Sequence, residues 1–231
     1  IYMCFSAKAS FITLTLGLVT SFICILLGSV TDKIVGYFFA FVSLMQVIEY
    51  LLWKHQICDN YNRFLSIMGM ILNHLQPVIL AIVMLIFYKN NPNKKWIFVV
   101  VFIYLCVIIP YSQQFINNKK LQCTIKDVKS KHLTWIWNDM KNYTISYFVF
   151  VLTACVLFLL GLPNIKMAIL SIIVTIFTLT TTTFYYKGHV GALWCYYVVF
   201  IPTIYIICRV LFNFDPDKHP FKFIHDIIKT I

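Results

Sequence analysis

The sequence predicts an all-α protein, an integral membrane bundle of seven transmembrane helices. Three observations carry that expectation. Of 231 residues, 61% are hydrophobic and 12% charged, where soluble domains average about 25% charged. Apolar runs of about 20 residues, the length that crosses a bilayer, recur along the whole chain. The Lys and Arg residues behind the formal charge of +11 lie almost entirely between those runs, as topology signals and contacts to anionic lipid do. They are scattered, with no soluble domain to hold a duplex, so no nucleic-acid partner is expected.

Taken in order, the spans are expected at about 10–30, 34–54, 64–88, 96–112, 144–161, 165–186 and 190–212, in a single domain. The first run is too long for the apolar region of a signal peptide and reads as a span. Thr31-Asp32-Lys33 closes the first connection, and CDNYNR and KNNPNKK bracket the third span. A long loop, 113–143, separates the fourth and fifth spans. Gly161 and Pro163 stop the fifth. A tail, 213–231, follows the last span, and its IIKTI end suits a short amphipathic piece on the bilayer.

Seven spans put the chain ends on opposite sides. We call the N-terminal side A and the other side B. B carries nine basic residues and A ten, six of them in the long loop. The short loops therefore favour a cytoplasmic B and a C-terminus there, with the N-terminus lumenal or external. Cys58 and Cys123 fall in two different A-side loops, the placement for a disulfide in an oxidising compartment, with two reduced thiols as the alternative. Asn142-Tyr143-Thr144 is a glycosylation sequon abutting the fifth span.

The stretch VSLMQVIEYLLWKH, 42–55, organises the functional expectation. Glu49 is the only glutamate and the one acidic residue this reading places inside a span. A charge at mid-bilayer costs roughly 2.5–3.5 kcal/mol on insertion scales, so such a residue marks a functional site when partners can be named. Ser43, Gln46, Glu49, Tyr50 and Trp53 form one polar stripe of the helix. On the third span Ser66, Gly69, Asn73 and Gln76 share a face, with His74 beside them. Pro77 frees the carbonyl of Asn73, and a freed carbonyl within a membrane belongs against protein or water. The seventh span opens HVGALWCYY, placing His189 at the interface and Trp194 near the level of Glu49. HLTWIWND in the long loop, with Trp135 and Trp137, suits an interfacial segment or a lid.

These groups lie in the A-facing half of the spans, above a B half rich in Ile, Leu, Val and Phe. The expectation is a polar pocket open to side A that binds, senses or translocates a small polar solute or ion, a proton or cation, around Glu49. Gln46, Asn73, His74, Gln76 and His189 would contribute polar groups, and Trp53 and Trp194 would wall the mouth. A lipid hydrolase and a structural membrane protein are the alternatives. An enzyme is the less favoured reading. No HxxxH or HxxE pairing supports a metal on Glu49, His74 and His189, and the two histidines differ in depth by about 10 Å at the helical rise. No metal or other cofactor is expected. The seventh span has no lysine for a retinal Schiff base. Membrane lipids are the expected partners, and a homo-oligomer is compatible with the sequence.

Three motifs stand together: MCFSAKASF at 3–11, Q-x-x-E-x-x-x-W at 46–53 and G-x-x-G-A-L-W-C at 188–195. With them the chain resembles, over its whole length, a family of small polytopic membrane proteins of giant viruses and some bacteria and algae, whose members begin Met-Cys-Phe-Ser-Ala. The resemblance implies the topology and the choice of residues, and no reaction.

Overall fold

A computed structural model of the chain describes residues 6–119, 122–127, 132–135, 137, 140, 143–185, 199–211 and 216–217, with backbone alone at 143 and 182–185. The architecture is an all-α bundle, its helices being α1 (Ala7–Leu27), α2 (Val30–Ser43), α3 (Met45–Lys54), α4 (Asn60–Phe87), α5 (Lys94–Asn117), α6 (Tyr143–Gly161), α7 (Ile165–Tyr185) and α8 (Ile201–Leu211). Among the described residues five stretches are long and apolar enough to cross a membrane: α1, α2 with α3, α4, α5, and α6 from Thr144. Five such candidate spans are consistent with a multi-pass membrane protein. α7 and α8 add shorter apolar stretches, and 186–198, which holds the start of the expected seventh span with His189 and Trp194, lies outside the described residues.

Local chemistry sets the helix ends. α1 begins at Ala7 because the Ser6 hydroxyl accepts the N–H of Ala9, and it ends at Gly28, whose φ of 90° lies in the left-handed region. α2 begins at Val30, ahead of the expected 34, because Ser29 and Asp32 form a reciprocal capping box. Asp59 caps α4 through the N–H of Asn62 at 2.9 Å. α5 runs past Pro110 to Asn117, so the loop expected from 113 starts five residues later.

The expected second span is two helices. Leu44 N–H bonds to the carbonyl of Phe41, and Val47 N–H to that of Leu44, both i→i+3. Beside this tight turn Ser43 donates back to the carbonyl of Phe39 at 2.8 Å, a bond that bends helices.

α4 is central and packs on α2, α3, α5 and α6; α1 packs on α2 and α3, with α8 against α1 and α2, and α7 against α6. The buried face of α1 is Ser10, Thr13, Gly17, Thr20, Ser21 and Cys24. Its outer face carries Phe11, Ile12, Val19, Phe22 and Leu26, all exposed. That inversion, small and polar within and greasy without, is the pattern of helices packed in lipid. Gly17 and Gly36 make the approach possible. A Cβ at Gly17 would overlap the Ser43 hydroxyl, and one at Gly36 would come 2.6 Å from the carbonyl oxygen of Ser21.

The A-side connection between α5 and α6 folds back into the bundle. Trp135 and Trp137 are each only 2% exposed. Trp135 lies on Gly69 of α4, where a Cβ would come 2.7 Å from the indole. The Tyr111 hydroxyl donates to the carbonyl of Trp137, and Ser66 donates to Thr124 at 2.8 Å. The Asn62 amide donates to the carbonyl of Thr124 and accepts its N–H, both at 2.9 Å. A disulfide joins Cys58 to Cys123, Cα atoms 5.5 Å apart. The two tryptophans are thus packed as a plug into the bundle.

Candidate functional site

α3 presents Gln46 and Glu49 one turn apart, and both are buried. Thr13 of α1 donates its hydroxyl toward Gln46 Oε1 at 2.8 Å. Gln46 is also the side chain near enough to act on the Glu49 carboxyl. Glu49 Oε1 and Gln46 Nε2 nevertheless have no hydrogen-bond partner among the described residues. Glu49 is 5% exposed, so water does not freely replace the missing partners. One carboxyl oxygen of Glu49 and the donor nitrogen of Gln46, one turn apart, are therefore buried without a hydrogen-bond partner among the described residues. Trp53, at the end of the stripe, is half-buried against the main apolar cluster.

Asn73 and His74 stand elsewhere. They line a hollow of about 10 Å³ with Tyr111, Trp137, Ser146 and Tyr147, between α4, α5 and α6 and beneath the plug. The sequence grouped Glu49 with Asn73 and His74; among the described residues neither this hollow nor any hydrogen bond joins them. Helix periodicity gives a face but not the neighbour that the face meets. Gln76 is buried on the same side of α4 as Asn73, its Nε2 without a partner among the described residues. The Tyr104 hydroxyl donates to the carbonyl of His74 at 2.7 Å, in the turn that Pro77 opens. His189 and Trp194 lie outside the described residues, so their expected roles find no placement here.

A second polar centre lies at the B end, and the sequence reading missed it. Asp32 is fully buried in the first turn of α2, so Glu49 is not the one acidic residue buried in a candidate span. Tyr205 donates to Asp32 Oδ1 at 2.5 Å, and Arg209 Nε lies 3.5 Å from the same oxygen. Asp217 then takes the N–H groups of Val30 and Thr31 at 2.9 and 3.1 Å. Two carboxylates at a helix N-terminus satisfy free N–H groups and oppose the positive end of its dipole. The B half is consequently not simply apolar. Ser29-x-x-Asp32 was the available signal, a capping box that places Asp32 within a helix.

Among the described residues no three His, Cys, Asp or Glu side chains gather as a metal site would require. Comparison with protein-family models, curated proteins and solved structures gives no significant match. Any function must be argued from these centres themselves.

Proposed function

We propose that the protein is a multi-pass membrane protein that binds or translocates a small polar solute or ion, most simply a proton or small cation, at Glu49. The observation that carries this reading is the pair of buried, unpartnered atoms, Glu49 Oε1 and Gln46 Nε2. A buried carboxyl oxygen left without a partner is unfavourable unless something else occupies it, and a proton or cation answers it directly. Access is from side A, the end of the span at which α3 finishes. The Cys58–Cys123 bridge supports a lumenal or external assignment for that side.

The test is flux in liposomes holding the purified chain and a pH-sensitive dye. Glu49→Gln abolishes proton-linked flux and Gln46→Leu reduces it. Flux unchanged in Glu49→Gln counts against the proposal. A purely structural role has one observation in its favour, the Thr13–Gln46 bond that ties α1 to α3. It predicts no flux in the wild-type protein and a loss of stability in both variants.

A further inference from the structure

We propose that the hollow between α4, α5 and α6 is a binding site for one small, uncharged hydrogen-bond donor of the size of water, anchored by Asn73 and His74. It is separate from Glu49, and it stands if the reading of Glu49 fails.

Asn73 supplies the first argument. It is 7% exposed, lines the hollow, and no side-chain hydrogen bond ties it to a described residue. An amide carries two donors and two acceptor positions. Leaving them unanswered in a buried place costs roughly 1–3 kcal/mol on mutational scales, so a buried amide of this kind marks a ligand or an ordered water.

His74 supplies the second, through its tautomer. Its Nδ1 lies 2.8 Å from Ser112 Oγ, and Ser112 Oγ lies 2.8 Å from the carbonyl of Ile108. A serine hydroxyl has one proton. Given to Ile108, the usual i−4 back-bond of a helical serine, it leaves the serine oxygen as acceptor. His74 Nδ1–H then donates to Ser112, and in the neutral ring Nε2 is the acceptor. With Nδ1 taken by Ser112, Nε2 is the ring nitrogen left for a ligand in the hollow, which would donate to it while Asn73 donates to that ligand or accepts from it.

Size and charge narrow the class. The hollow measures about 10 Å³, close to the least that holds one water. Among the described residues no Lys, Arg, Asp or Glu lines it, so none of them balances a charged guest. Trp137 forms part of its wall, its carbonyl held by the Tyr111 hydroxyl. Water and ammonia share the required chemistry.

The experiment is solid-state NMR of the full chain in lipid vesicles, with 15N-labelled histidine. The expected result is a neutral His74 protonated at Nδ1, an Nε2 resonance shifted by an accepted hydrogen bond, and magnetisation transfer from the bound molecule to the ring. Asn73→Leu weakens that transfer by about three- to tenfold, the equivalent of one hydrogen bond. Adding ammonium chloride at constant pH separates the two sources: a displaced Nε2 resonance assigns ammonia, an unmoved one assigns water. A ring protonated at Nε2, or an Nε2 with no bonded shift and no transfer, overturns the proposal on the wild-type protein alone, whatever the variant does.

Discussion

Thr13 and Gln46 meet across the interface of α1 and α3, hydroxyl to amide oxygen at 2.8 Å. Each sits on a buried polar face of an otherwise apolar helix. In lipid an interhelical bond of this kind contributes about 0.6–2 kcal/mol. Thr13→Val and Gln46→Leu are therefore each expected to destabilise the detergent-solubilised protein by about 1 kcal/mol. Because both remove the same bond, the double variant should lose less than the two single losses added together. Unfolding titrations in a denaturing detergent measure all three; full additivity would mean that the two side chains do not interact.

Gly17 lies at a close approach of α1 to its neighbours. A Cβ there overlaps the Ser43 hydroxyl and comes 2.8 Å from Val199. Gly17→Val forces α1 away from the end of α2 and from Val199, just ahead of α8, at a cost of about 1–3 kcal/mol for an overpacked site. Leu18, next in sequence, is 40% exposed on the outer face. Leu18→Ala should stay within about 0.5 kcal/mol. Thermal melts of the two variants side by side check the assignment of faces, and equal losses would contradict it.

Much of the helical pattern was legible in the sequence. Ser66, Gly69, Asn73 and Gln76 were read as one inward face of α4, and all four are buried. Such a reading works because apolar length and a period of 3.6 are local properties. What could not be read was which face meets which. Asp32 resembled a loop residue beside Lys33, and its partner Tyr205 is 173 positions away. Nothing in the sequence singled out Thr13, which meets Gln46 only because α3 packs against α1. Trp135 and Trp137 were read as an interfacial segment or a lid, because that is where amphipathic rings settle. They are buried because Gly69, lacking a side chain, leaves the space they fill.

The Asp32 centre predicts losses of different size for different variants. Asp32 is wholly buried, with Tyr205 and Arg209 on the same oxygen. Asp32→Ala strands both partners and removes one half of the capping box, for a loss of about 3–5 kcal/mol. Tyr205→Phe removes one donor and leaves the Asp32–Arg209 pair, for about 1.5–3 kcal/mol. Chemical unfolding that ranks Tyr205→Phe above Asp32→Ala would show that the carboxylate is not the organising group.

Asp59 connects stability to acidity outside the spans. The backbone N–H of Asn62 holds its carboxyl below the usual carboxylate range, with His55 Nε2 at 2.8 Å adding to the effect. A carboxyl with a depressed folded pKa contributes stability above its unfolded pKa, and that contribution is lost as pH falls through the folded value. Acidification should therefore loosen the first turn of α4, read as lower protection of the Asn62 amide in hydrogen exchange. Asp59→Asn retains a capping oxygen but cannot titrate, so its protection should be insensitive to the same pH change.

The disulfide ties that turn to the plug. Cys58 directly precedes the cap at Asp59, and Cys123 lies between Gln122, which donates to the end of α5, and Thr124, which is bonded to Asn62 and Ser66. The bridge spans 65 positions, and closing a loop of that length is worth about 4 kcal/mol in the chain-entropy model. Cys58→Ser with Cys123→Ser should lower the melting temperature and match the wild-type protein treated with a thiol reductant. The effect should also be local. Trp135 and Trp137 are held against Gly69 and Tyr111 through this same connection, so their fluorescence should shift toward that of water-exposed indole while the helical signal stays unchanged. A melting temperature lowered without a change in tryptophan emission would mean that the plug is held by its own packing on α4 and α5, and that the bridge acts only on the unfolded chain.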